Sequence, residues 1–119
     1  MSQLAVFADL EVTDFESYAD EDDGHMRVTE GDPSVRVHTL REGKELWAGI
    51  ALVQPSKFEY SSQHAGAIQL LEGAATVTTE GRTVELKAGE AIFLEKGAET
   101  TWEVTAALRE YFVAFVAED

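Results

Sequence analysis

Residues 70–102 read LLEGAATVTTEGRTVELKAGEAIFLEKGAETTW, and the order of residue types along them decides the fold. Ala75 and Val77 alternate with Thr76 and Thr78, Val84 and Leu86 alternate with Thr83 and Glu85, and Glu80-Gly81 stands between the two runs. Period-two alternation broken by a two-residue turn containing glycine is the pattern of a β-hairpin. Gly89-Glu90 restarts the chain into an apolar strand at 91–94, and Gly97 separates that strand from Thr101-Trp102. Short strands in quick succession with turn residues between them predict an all-β sandwich or barrel.

The same period extends upstream. Val35, Val37 and Thr39 share one face and Arg36, His38 and Leu40 the other, Gly43 marks a turn, and the run at 46–53 ends before Pro55, which cannot donate to a ladder. Phe58 and Tyr60 begin a segment leading into 67–71. Downstream, 111–116 is apolar on both faces, which predicts cover by a second layer or a second subunit. The turn of helix with most support lies at Ala106-Ala107-Leu108. The first 24 residues are crowded with carboxylates from Asp9 to Asp23 and hold few apolar anchors, so they read as a loop-rich lead-in with one short strand near 4–8. The expected organisation is a single domain, with an acidic extension over 1–30 and a barrel over 31–119.

Composition excludes several chemistries. No cysteine is present, so disulfides, zinc-thiolate sites and a thiol nucleophile are ruled out. A net charge of −14 on 119 residues repels phosphate backbones and anionic membrane surfaces, so neither nucleic acid nor membrane is an expected partner. No apolar run approaches the roughly 20 residues that span a bilayer, and the N-terminus does not read as a signal peptide. A cytoplasmic location is the expectation.

Taken together, Gly31-Asp32-Pro33, Leu70-Leu71-Glu72-Gly73, Leu86-Lys87-Ala88-Gly89-Glu90 with Phe93, Gly97, and Thr101-Trp102-Glu103-Val104 followed by Arg109 and Tyr111 resemble a cupin. The resemblance is to the small single-domain branch that includes the ureidoglycine aminohydrolase and EutQ type. It implies an RmlC-like jelly-roll barrel, a double-stranded β-helix. Metal-binding cupins carry His-x-His, then Glu, six residues and Gly, and later Gly, five residues, Pro-x-Gly, two residues and His. With Gly73 closing the first motif, Gly66 takes the carboxylate position, and the histidine pair falls on Tyr60 and Ser62, or on Glu59 and Ser61. In the second motif Gly89 and Gly97 fit, while Glu95 replaces the proline and Thr100 the histidine. The resemblance therefore implies a barrel without its usual ligand set. No metal or other cofactor is expected, and a divalent transition metal held by unusual ligands is the alternative.

The expected pocket is lined by Tyr60, Ser62, His64, Gly66, Thr100 and Trp102. His64 shares strand parity with Gly66 and is the candidate acid or base, with Tyr60 and Glu59 as candidate assistants. The leading expectation is a homodimeric protein that binds a small polar molecule. One alternative is an enzyme of ureide, amine or sugar metabolism, of aminohydrolase or isomerase type, that uses His64. Another is a non-catalytic homodimeric module whose interface is the Phe112, Ala114 and Val116 face and whose barrel is packed shut by Ile68, Leu70 and Phe93.

Overall fold

A computed structural model describes residues 16–17 and 26–116 of the chain. In chain order the strands are β1 (Glu16–Ser17), β2 (Met26–Gly31), β3 (Arg36–Glu42), β4 (Leu46–Val53), β5 (Ser56–Ser61), β6 (Ala65–Thr79), β7 (Arg82–Lys87), β8 (Ala91–Leu94) and β9 (Glu99–Phe115). The described residues contain no helix, and so none long and apolar enough to cross a membrane. The strand expected near 4–8 lies outside the described residues. Strand β2 begins inside the segment read as lead-in and pairs with β5 from Met26↔Tyr60 to Gly31↔Ser56.

Two long strands organise the sheet. Along one edge of β9, residues 99–104 pair with β5 and residues 108–115 with β4; along its other edge β9 pairs with β6. The N-terminal part of β6 also pairs with β8, and its C-terminal part with β7. One half of the structure therefore runs β1-β3-β4-β9-β6-β8, and the other β2-β5-β9-β6-β7. Side chains from both halves meet in one cluster, including Met26, Val53, Phe58, Leu70, Val77, Leu86, Trp102 and Leu108, with Ile68 and Ile92 packed against it. The halves thus face each other across a shared core.

Passage from one half to the other requires the β6–β9 ribbon to turn a corner. Its register shifts between Leu70 and Ala75, where seven residues of β9, from Glu110 to Val104, span the same length as six of β6. Such bulges bend and twist a strand. Their consequence is a change of inward parity on β6, from Leu70 to Ala75 and Val77, while on β9 even residues are buried on both sides of the exposed Ala106. Gly73 sits at the corner with φ +94°, and a Cβ there would run into the carbonyl oxygen of Ala107. The residues predicted as a helical turn, Ala106-Ala107-Leu108, are part of β9 instead, because Ala106 pairs with Ala74 and Leu108 with Val53. Alanine accepts either conformation, and the flanking partners decide it.

The hairpin turn has φ 51° at Glu80 and 78° at Gly81, the double left-handed signature of a type I′ connection. Leu70, fully buried, is fixed by two backbone bonds: its N–H donates to the Glu90 carbonyl at 2.9 Å and its carbonyl accepts from Gly89 N–H at 2.7 Å.

These two glycines separate the two penalties a side chain can meet. At Gly81 nothing lies within 4 Å of an added Cβ, whereas at Gly73 the carbonyls of Ala106 and Ala107 block it. Gly81→Ala is expected to cost about 1 kcal/mol, from the left-handed conformation alone. Gly73→Ala is expected to cost about 3 kcal/mol or more, because backbone must also move. Urea denaturation of both variants measures the difference.

Candidate functional site

Between the two halves lies a cavity of about 150 Å³. Strand parity builds its wall: Val37 on β3, Trp47, Ala51 and Val53 on β4, Phe58 and Tyr60 on β5, and Trp102, Leu108, Glu110, Phe112 and Ala114 on β9 all line it. Among the described residues the lining is apolar or aromatic except at Tyr60, Ser62, Gln63, His64 and Glu110, and it includes no lysine or arginine. Two aromatic pairs stiffen it. Phe58 stacks on Trp102 with ring centroids 6.1 Å apart, and Phe112 meets Trp47 edge-on at 4.8 Å.

Of the residues expected in the pocket, Tyr60, Ser62, His64, Gly66 and Trp102 line this cavity. Trp102, 4% exposed, belongs to the core rather than to a rim, and its indole Nε1 donates to Thr100 Oγ1 at 3.0 Å. Thr100 does not line the cavity. Its hydroxyl donates in turn to the Tyr60 carbonyl at 3.0 Å, so its one proton is committed to backbone. Ser62 Oγ donates to the His64 carbonyl at 2.7 Å, while its backbone N–H and carbonyl bond Ala98 and Gly97 at 2.9 Å each. Those bonds tie the 62–64 connection to the 95–98 turn and hold His64 at the cavity wall. Glu59 is elsewhere: it points outward from β5 and pairs with Arg27 at 3.3 Å, on the surface. Exposed pairs of that kind contribute little to stability.

Gly66 is required by its surroundings, since a Cβ there would run into the carbonyl oxygen of Val113 on β9. No carboxylate side chain fits that position without moving backbone. A transition-metal site takes about three donors of suitable type converging on one point. The positions that the resemblance sets against the cupin ligands hold Gly66, Thr100 and either Tyr60 with Ser62 or Glu59 with Ser61; the Thr100 and Ser62 hydroxyls donate to backbone and Glu59 pairs with Arg27, and neither set fits a metal. Among the described residues no three His, Asp or Glu side chains converge.

The faces of the last strand also differ from the interface reading. Phe112 and Ala114 line the cavity, so they are not available as an outer surface. The outward aromatics are Phe115, 46% exposed, and Phe93, 54% exposed, with centroids 6.4 Å apart. Phe93 therefore does not fill the barrel.

Glu110 is the site residue that the sequence reading passed over. It lies on β9 between Leu108 and Phe112, with Ala51 of β4 and Leu70 of β6 as cross-strand neighbours, and it is only 9% exposed. Its Oε2 is buried with no hydrogen-bond partner among the described residues. Burial among apolar groups penalises the charged form and raises its pKa from 4.5 to about 7. The signal was parity: Trp102, Val104, Leu108, Glu110 and Phe112 are all even-numbered residues of one strand.

With this geometry in place, comparison with known proteins is direct. A family model described as the EutQ-like cupin domain matches residues 40–112. Acetate kinase EutQ of Clostridioides difficile (strain 630) is 26% identical over 97 residues, covering 77% of this chain and 62% of that protein. The chain thus spans less than two thirds of that curated relative. The structure of the Clostridium difficile EutQ protein superposes with a TM-score of 0.63 at 22% identity, covering 71% of this chain and 64% of the other. A putative ethanolamine utilization protein Q from Salmonella typhimurium LT2 gives a TM-score of 0.63 at 26% identity, covering 71% and 72%.

The buried carboxyl makes stability depend on pH with a definite sign. A carboxyl that holds its proton more tightly folded than unfolded favours the fold at low pH, and that advantage is lost as the unfolded chain ionises. Between pH 4.5 and 7 the unfolding free energy of the parent chain is expected to fall by about 3 kcal/mol relative to Glu110→Gln, and to run parallel to it outside that window. Chemical denaturation of both proteins across the pH range measures this.

Proposed function

The chain belongs to the EutQ-like cupins, and on that premise we propose that it is a small-molecule-binding protein whose site is the barrel interior and which works without a bound metal. The observation that carries this reading is the cavity itself: its walls are mainly apolar, with a few polar residues, Tyr60, Gln63, His64 and Glu110, among them. Ligand sites are commonly built in that way. The apolar majority favours a molecule with a hydrophobic body and one polar end over the wholly polar ligand expected from sequence. A cavity of this volume accommodates a molecule about the size of benzene. The kinase activity in the name of the Clostridioides relative is not carried over, because the chain spans 62% of that protein and no described residue of the cavity wall is a lysine or arginine that could hold a phosphoryl group.

Two measurements test this reading. Ala51 is buried, lines the cavity and lies across the ladder from Glu110. Ala51→Leu is expected to keep the fold, because the added carbons enter existing space, and to abolish the thermal stabilisation that benzyl alcohol gives the parent chain. Equal stabilisation of parent and variant contradicts the assignment. Elemental analysis of protein purified without chelator is expected to find transition metals only in sub-stoichiometric amounts; manganese, iron, nickel or zinc at one equivalent overturns the metal-free reading.

A further inference from the structure

A buried carboxyl with one oxygen unpartnered is costly, and the cavity contains little that could satisfy it. Its cross-strand neighbours are Ala51 and Leu70, and the other wall residues from β2, β3, β4 and β8 are apolar or aromatic. The other titratable groups on the wall are Tyr60 of β5 and His64 of the 62–64 connection. Arg109 and Tyr111, which flank Glu110 along β9, are not part of the wall. A ligand that settles in this cavity meets a carboxyl oxygen that no strand around it satisfies, and once Glu110 ionises that oxygen accepts only.

We infer that the barrel takes a small organic ammonium ion, an amine with a compact apolar substituent, whose charged nitrogen sits against Glu110. This rests on the small-molecule reading above and names the ligand class. Three observations favour a cation over a neutral or anionic guest. Among the described residues the wall has no lysine or arginine to balance an anion. Its aromatic members, Trp47, Phe58, Tyr60, Trp102 and Phe112, supply the π-faces that attract desolvated cations. The chain carries a net charge of −14, which draws cations toward it. On binding, the ammonium group donates to Oε2 and a carboxyl proton leaves to solvent. The ion pair thereby replaces a neutral acid.

The test is isothermal titration of the full chain with benzylamine, benzyl alcohol and benzoate, probes that share one apolar body. Benzylamine is expected to bind roughly tenfold or more tighter than benzyl alcohol at pH 8, and to weaken by a similar factor on going to pH 5 as Glu110 is protonated. In Glu110→Gln, benzylamine is expected to lose its advantage while benzyl alcohol still binds. Should the variant not fold, the parent chain decides alone: at pH 6, heats in two buffers of different ionisation enthalpy must show proton release with benzylamine. Benzoate as the tightest probe, benzylamine no better than benzyl alcohol, or no proton release overturns the ammonium assignment and leaves the pocket standing. If none of the three probes binds, the pocket reading falls with it.

Discussion

The structure depends on the close approach of two backbones at the β6–β9 corner. Gly73, with no side chain, lets β6 pass against the carbonyls of Ala106 and Ala107, and the bulges around it carry the ribbon from one half of the molecule to the other. Without that corner the half built on β4 and the half built on β5 would have no shared strands and no common interior. The parity change falls on β6 alone. Trp102 before the corner and Glu110 after it therefore point into the same space, one as wall and the other as the group that a guest would meet.

Polar groups in that interior divide into two sorts. Thr100 illustrates the first: it accepts from Trp102 and donates to the Tyr60 carbonyl, which holds the indole in place and leaves no proton for a ligand. Ser62 likewise donates to the His64 carbonyl, and its backbone ties the connection to the 95–98 turn. Both work for the fold. Glu110 is of the second sort, since the surrounding strands offer its buried oxygen nothing. A polar group satisfied as Thr100 and Ser62 are adds order at low cost, whereas one left unsatisfied, as Glu110 Oε2 is, costs stability and calls for an explanation.

How much of this could be read from sequence follows from how local each cause is. The Glu80-Gly81 turn, the strand at Ala91–Leu94 and the strand at Leu46–Val53 appear in the structure where alternation and turn residues put them, because neighbouring residues decide those features. The length of β9 could not be read in the same way. Ala106-Ala107-Leu108 has no strand signature of its own and is extended because β4 and β6 flank it. Strand β2 was hidden for a similar reason: its exposed residues, from Arg27 to Glu30, give no alternation, and only Met26 is buried. At the site, matching positions to the cupin motifs brought attention to Tyr60, Ser62, His64, Gly66 and Trp102, which do line the cavity, but also to Glu59 and Thr100, which do not. Glu110 lies outside both motifs, and its burial emerges only when the inward stripe of β9 is followed through the corner.

The central claim is that Glu110 is a neutral acid held inside the barrel at moderate pH. It is tested most directly by following the carboxyl carbon of Glu110 by NMR in isotopically labelled protein as pH is varied. The account predicts a titration midpoint near 7. A midpoint near the ordinary glutamate value of 4.5 would show a solvated carboxylate and contradict it.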